Sequence, residues 1–256
     1  MEHNQHLPIS TTADPYRPEN ITLFNTIYGK NLISLGNTTA IDNMLSGLDI
    51  RGLKALDLGF GLGGVAFYLV KNYQMIISGI EVHPWMAEHA KSHAPKEIAH
   101  LLEFKTYDTN GKLPFHSQTF DLVYSKGVLN HVADKSTLFY QVNQVLKSAG
   151  LFVIADWIFP QATTDSSLPL VCETKESYRQ VLTNTGFCDI AFRDDSKLFI
   201  EYANKLLKNL SHHQECIEQK YSAELFSIIW NQHEALIEQI NHHQKYATRI
   251  IAKKML

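Results

Sequence analysis

The stretch Asp57-Leu-Gly59-Phe-Gly61-Leu-Gly63-Gly64 has the residue types and spacing that point most directly to chemistry. It follows a short apolar run from Lys54 and precedes helical spacing from Val65 to Val70, so its glycines fall on a strand-to-helix turn. Glycines there let the backbone bend sharply and approach a ligand with no side chain between. Gly59, Gly61 and Gly64 satisfy the GxGxxG pattern of dinucleotide-binding units. Asp57 argues for a different ligand. A carboxylate two residues before the first glycine repels a pyrophosphate and favours a positively charged group. A tight turn with no ligand would need only one of these glycines.

Two further acids extend the pattern. Glu81 closes the next apolar run, Met75-Ile-Ile-Ser-Gly79-Ile, about twenty residues past the loop, where an acid can accept both hydroxyls of a ribose. By itself such a residue is more often a solvated surface charge; its place after the glycine loop favours the ribose role. Asp108, after Leu102-Glu-Phe-Lys-Thr-Tyr, can accept from an adenine amino group, and Thr109 follows it. A nucleoside without phosphate but with an ammonium fits all three acids, and S-adenosylmethionine is such a molecule. A nicotinamide or flavin dinucleotide is the weaker alternative.

These residues need a scaffold that brings strand ends together. Strand candidates begin at Lys54, Met75, Leu102, Phe120 and Gly150 (running to Asp156), with helical spacing over Trp85 to Ser92 and Thr137 to Lys147. Alternating strands and helices indicate βαβ units and a mostly parallel sheet covered on both faces. Tyr178 to Thr185 reads as a helix closed by Gly186, and Phe187 to Phe192 and Ala247 to Ala252 as strands. The expectation is an α/β, Rossmann-like sheet of seven strands with a helical cap, one domain over 1–256. Within it, 1–48 form an N-terminal helical lid whose first fifteen residues are a polar lead-in, with a break at Tyr28-Gly-Lys. Residues 195–244 form a helical insertion over the carboxyl edge of the sheet, where open α/β sheets place their ligands.

Composition narrows the partners. The 256 residues are 45% apolar and 19% charged, enough to build a sizeable core. A net charge of −3 speaks against nucleic acid. No apolar run is long enough for a membrane span, and the polar N-terminus does not read as a secretory signal. Cys172, Cys188 and Cys216 form no CxxC pair, which suits a reduced, cytoplasmic setting.

Asp57 to Gly64, Gly79-Ile-Glu81, Asp108 and Phe120-Asp-Leu-Val-Tyr-Ser together resemble the class I S-adenosylmethionine-dependent methyltransferases, over roughly Leu53 to Asp156. The segment after the fourth strand lacks the Asn/Asp-Pro-Pro-aromatic signature of methyltransferases acting on nucleobase amino groups. Gly127-Val-Leu-Asn-His131 stands there instead and points to small molecules. A narrower resemblance joins Tyr16, Ile27-Tyr-Gly29-Lys-Asn31-Leu-Ile33-Ser34 and Tyr124-Ser-Lys-Gly-Val-Leu-Asn-His131 to the phosphoethanolamine N-methyltransferases. It implies a catalytic pair of Tyr16 and His131, with Ser34 near the methionine carboxylate. Glu81, Val82, Asp108 and Thr109 line the nucleoside, and Asp57, Gly59, Phe60 and Gly61 are the loop positions expected to meet the cofactor. Lys126 falls where that family commonly has an arginine. S-adenosylhomocysteine is the implied product.

Methyl transfer is an in-line displacement at a sulfonium carbon, which needs alignment more than covalent help. A protonated amine has no lone pair, so a base must take its proton, and an imidazole with an unperturbed pKa of about 6.5 is suited to that. A histidine with no role is the bland reading of His131, which the motif context outweighs. The resemblance also has departures. The post-strand-five stretch Ser167-Leu-Pro-Leu170-Val carries no basic residue, Trp157 stands where that family has a tyrosine, and no lysine counterpart is found near Asn231 to Glu238. A phosphate clamp is therefore not expected, and a less anionic amine, with Trp157 offering its ring to a cation, fits better. O-methylation of a small molecule using His131, or a cofactor-binding protein without turnover, are the other readings. His212-His213, His233 and His242-His243 have no spacing that completes a metal site, and none is expected. Trp85 and Trp230 read as packing residues.

Overall fold

The structure is a computed structural model that describes residues 16–109, 111–162 and 171–256. The first fifteen residues and positions 167–170, which figured in the sequence reading, lie outside that range. Two helices come first, α1 (Ile21–Tyr28) and α2 (Asn37–Leu45), on either side of the expected glycine-containing break. There follow β1 (Lys54–Leu58), α3 (Gly64–Tyr73), β2 (Ile76–Glu81), α4 (Pro84–His93), β3 (Leu102–Thr106) and β4 (Phe120–Lys126). The chain continues through α5 (Lys135–Val145), β5 (Leu146–Ile158), α6 (Lys175–Asn184), β6 (Phe187–Asp194), α7 (Ser196–His212), α8 (Gln214–Lys220), α9 (Ala223–Asn241) and β7 (Tyr246–Lys254).

The seven strands lie in the order β3-β2-β1-β4-β5-β7-β6, parallel except for β7, which runs against both β5 and β6. This is the mostly parallel, Rossmann-like sheet expected from the sequence. Both faces are buried because successive strand residues point to opposite sides. Ala55 of β1, Leu122 and Tyr124 of β4 and Val153 of β5 pack into one core. Leu56, Leu58, Val123, Phe152 and Ile154 enter the other, beneath α5 and α6. The chain runs outward in one direction through β2 and β3, and in the other through β4 and β5. The carboxyl ends of β1, β2 and β4 therefore meet at the point where strand order reverses, the place where open α/β sheets bind their ligands.

The expected boundaries need adjustment. Helix α5 begins and ends two residues before the expected span, because the Asp134 carboxylate accepts from Thr137 N–H as a cap and Leu146 already pairs with Phe120. That pairing precedes a register shift, and Ala149 takes a left-handed φ of 60°, so β5 starts well before Gly150. Helix α6 starts at Lys175 because Thr174 and Ser177 form a capping box.

The helical stretch after β6 is three helices, and their apolar faces do not stand alone. Leu207 and Leu210 of α7, Ile217 of α8, and Leu225, Phe226 and Ile229 of α9 form a third core with Leu23 and Ile27 of α1. The beginning of the described chain and the insertion thus pack as one unit. Among the described residues, no helix is long and apolar enough to cross a membrane.

Candidate active site

The glycine loop leaves β1 and enters α3 beneath the segment that joins α1 to α2. Gly59 has a φ of 77°, and a Cβ there would lie 2.5 Å from a methyl of Val128. At Gly64 the obstacle is backbone: a Cβ would come within 2.3 Å of the Asn31 carbonyl oxygen, which accepts from Gly64 N–H at 3.0 Å. Side-chain-free positions therefore let the two segments touch. Asn31 N–H donates in turn to Asn25 Oδ1 at 2.7 Å, which ties α1 to the loop.

Asp57 is buried at the base of this loop and accepts from the Tyr124 hydroxyl at 2.9 Å. The two residues are direct neighbours across β1 and β4, so the pairing follows from strand register. Burial pushes the Asp57 carboxyl up to about 7; the Tyr124 hydrogen bond opposes the shift and the charge of Glu81 adds to it. Glu81, buried at the end of β2, accepts from Gly61 N–H at 3.0 Å through one oxygen. Its other oxygen accepts from His83 N–H at 3.1 Å and meets His83 Nδ1 at 3.0 Å. Two carboxylates thus face one glycine loop, an arrangement that disfavours a phosphate and accommodates a cation.

Asp57 also has a consequence for stability. Its carboxyl titrates near 7 when folded and near 3.8 in the ordinary state, so ionisation costs the folded protein progressively as pH rises between those values. Below about pH 4 the residue is protonated in both states and costs nothing. Asp57→Asn keeps an acceptor for Tyr124 and cannot ionise. It is expected to raise the ligand-free melting midpoint at pH 8 by roughly 10 °C, and to leave it unchanged near pH 4. An equal shift at both pH values, read by thermal denaturation, would refute the ionisation argument.

Lys126 and Ser34, assigned separately to the cofactor, come together. Lys126 Nζ donates to Ser34 Oγ at 2.5 Å and to the Leu35 carbonyl at 3.1 Å. Burial lowers its ammonium to about 8, against the attraction of Asp156. Asp156, at the end of β5, is itself raised to about 6 by burial, while hydrogen bonds from Trp157, Asn130 and Leu129 backbone groups oppose the shift.

His131 ends a single 3-10 turn after β4 and is exposed. Its neighbour Asn130 is buried and holds that turn to the rest of the edge. Asn130 N–H donates to Asp156, its Oδ1 accepts from Trp157 N–H, and its Nδ2 donates to the Trp157 and Val171 carbonyls. Lys135 Nζ adds a bond to the Val132 carbonyl at 2.8 Å and an ion pair with Glu173 at 3.4 Å.

Tyr16 is half-buried, with its ring 5.6 Å from that of His83 and 6.3 Å from that of Phe24, and its carbonyl accepts from Trp85 Nε1 at 3.2 Å. The ends of β2 and β4, which lead to His83 and to His131, lie about 10 Å apart, two strand spacings across β1. Val82, Asp108 and Thr109 are exposed on the same edge. Phe60 turns its side chain inward, 4.5 Å from the Phe104 ring and beneath Gly79, which leaves its backbone for a ligand.

At Trp157 the structure changes the expectation. Lys245 Nζ lies 4.6 Å from the centre of the indole, and Phe199 packs edge-on against it at 5.4 Å. A cation from this chain already uses the ring. Burial lowers the Lys245 ammonium. Lys245 directly precedes β7, well past the stretch where a lysine was sought, and nothing in the local sequence marks it. Trp85, read as packing, also makes a polar contact through its indole N–H. His212 and His213 direct Nδ1 to the carbonyls of Lys208 and Asn209, and the buried His233 bonds the Ile229 carbonyl.

Residues 56–154 match the family described as "Methyltransferase domain". A phosphoethanolamine N-methyltransferase of Triticum aestivum is 26% identical over 208 residues, 78% of this chain and 41% of that enzyme. The phosphoethanolamine N-methyltransferase of Plasmodium falciparum is 27% identical over 219 residues, 80% of this chain and 76% of the relative. Among solved structures, a Haemonchus contortus phosphoethanolamine N-methyltransferase 2, in complex with phosphomonomethylethanolamine and S-adenosylhomocysteine, superposes with a TM-score of 0.85 at 21% identity. That alignment covers 94% of this chain and 58% of the other. The chain spans about half the length of the plant relatives. The likeness in structure establishes the class I methyltransferase fold.

Proposed function

We propose that this chain, which carries a class I methyltransferase domain, uses S-adenosylmethionine to methylate a small amine. The observation that carries the reading is the pair of buried carboxylates, Asp57 and Glu81, set against one glycine loop. A positively charged nucleoside relieves their mutual repulsion, whereas a dinucleotide would place phosphates beside them. Bound S-adenosylmethionine supplies an electrophilic methyl group on sulfur.

The chain's own groups supply position and proton transfer. Glu81 accepts the ribose hydroxyls, Asp108 the adenine amino group, and Val82, Thr109 and the loop backbone at Gly59, Phe60 and Gly61 border the nucleoside. Lys126 and Ser34, already in contact, present a cation and a hydroxyl to the methionine carboxylate. His131 takes the proton of the acceptor ammonium, and Tyr16 holds the neutral amine in line and excludes water. Helix α1 and the helices between β6 and β7, which share a core, form the cover over this edge. Lys245 beside Trp157 adds a positive charge to the acceptor side. An acceptor panel therefore includes phosphoethanolamine alongside apolar amines.

Calorimetric titration with S-adenosylhomocysteine, and with NAD and NADP in parallel, tests the cofactor. Binding of S-adenosylhomocysteine alone is expected, with transfer of labelled methyl to one of the amines following from it. Binding of a nicotinamide dinucleotide in its place would overturn the reading.

A further inference from the structure

Glu81 and Tyr16 have separate roles in the reading above, one toward the cofactor and one toward the acceptor, yet a short run of residues connects them. His83 and Trp85 lie immediately after Glu81 at the start of α4, where Pro84 occupies the first turn and His83 is the capping residue. The main chain there is fixed from both sides. His83 N–H is bonded to Glu81, and the His83 carbonyl accepts from Met86 and Ala87 N–H. From this turn two side chains reach the beginning of the described chain. The His83 ring lies against the Tyr16 ring at 5.6 Å, and the Trp85 indole N–H donates to the Tyr16 carbonyl at 3.2 Å. The same His83 ring contacts Glu81 through Nδ1 at 3.0 Å.

We propose that His83 and Trp85 form a dock that couples occupancy of Glu81 to the placement of Tyr16, with Trp85 as a positioning residue and His83 as the connecting one. The inference rests on the roles proposed for Glu81 and Tyr16. A hydroxyl pair bound at Glu81 shares the carboxylate oxygen that His83 Nδ1 contacts, so binding acts directly on the imidazole on which Tyr16 rests. Trp85 holds the Tyr16 backbone whether or not the site is filled. Coupling of this kind is reciprocal, so a docked Tyr16 favours the filled site. The arrangement orders binding before chemistry, because the acceptor tyrosine is held in place most firmly once a nucleoside is present.

Hydrogen exchange of the peptide spanning residues 16–28, with and without S-adenosylhomocysteine, tests the dock. Trp85→Phe keeps an aromatic ring and removes the donor. It is expected to speed exchange of this peptide about fivefold in the ligand-free protein, the factor carried by one net hydrogen bond. Peptides from β1 and β4 should be unaffected, which separates the effect from unfolding. His83→Phe keeps a ring against Tyr16 and the backbone bond to Glu81, and loses only the imidazole contact with that carboxylate. It is expected to leave the ligand-free exchange unchanged and to abolish the slowing that S-adenosylhomocysteine produces in the wild type. Exchange of residues 16–28 that is the same in Trp85→Phe and wild type overturns the dock. A ligand response retained in His83→Phe overturns the coupling. If the wild type does not bind S-adenosylhomocysteine, the cofactor reading and the coupling fail together, and the ligand-free comparison still decides the dock.

Discussion

Replacing Glu81 by alanine is expected to weaken S-adenosylhomocysteine binding about 100-fold, a loss of about 2.7 kcal/mol. The carboxylate is buried, and one oxygen is already oriented by Gly61 N–H while the other is oriented by His83. Pre-orientation matters because two hydroxyls then gain charge-assisted bonds without first ordering their acceptor. Hydrogen bonds to a charged group contribute about 1.5–3 kcal/mol each, so losing two, partly replaced by water, gives the stated magnitude. Glu81→Gln retains an acceptor for the loop amide but turns the other position into a donor, and should fall in between, near tenfold. Calorimetric titration at pH 7.5 reads both variants, with melting curves to confirm that each is folded. An affinity within threefold of wild type for the alanine variant would remove Glu81 from the nucleoside site.

The glycine loop and its acids could be read from the chain because that chemistry is local. Asp57 and Gly64 lie within one turn of sequence, and Glu81 closes the very next strand, so no knowledge of packing was needed. What remained hidden depends on register or on distant segments. Tyr124 partners Asp57 only because β1 and β4 pair with those two residues opposite each other, and no motif records a register. Lys126 and Ser34 were each assigned to the cofactor, but their contact requires the segment after α1 to fold back over β4. Lys245 is the clearest case. It follows a long run of His, Gln and Glu, in which a lysine reads as a solvated charge, and only the antiparallel return of β7 alongside β5 sets it on Trp157.

The fold shows the same division. Alternating strands and helices were legible because both sheet faces are apolar over short runs, which leaves a pattern in any single strand. The start of β5 was not, since Leu146 and Lys147 continue the spacing of α5 and only pairing with Phe120 makes them strand. The helices α7 to α9 were recognisable as helices. The chain alone could not say that α1 supplies part of their core, since an amphipathic face specifies that it must be buried, not against what.

Replacing His131 by alanine is expected to lower kcat by about 100- to 10,000-fold on an accepted amine, the range that a positioned general base contributes. The fold should tolerate the change. His131 is exposed, and the turn that carries it is fastened by Asn130 and Lys135. Affinity for S-adenosylhomocysteine should stay at the wild-type value, so the loss belongs to chemistry and not to cofactor binding. The pH dependence separates a base from a mere contact. An alkylammonium acceptor titrates near 10, so its neutral fraction rises about 100-fold between pH 7 and 9. Without a protein base the variant must wait for that fraction, and its rate should climb by about tenfold per pH unit across this range. The wild type, in which a positioned base takes the proton from the bound ammonium, should be nearly flat. Lys126 loses its proton around pH 8, which weakens its hold on a carboxylate, so both profiles need saturating S-adenosylmethionine. Initial rates of labelled methyl transfer measure both. A flat profile in the variant would mean that the proton leaves by another route, and an equally steep profile in the wild type would mean that the protein supplies no base.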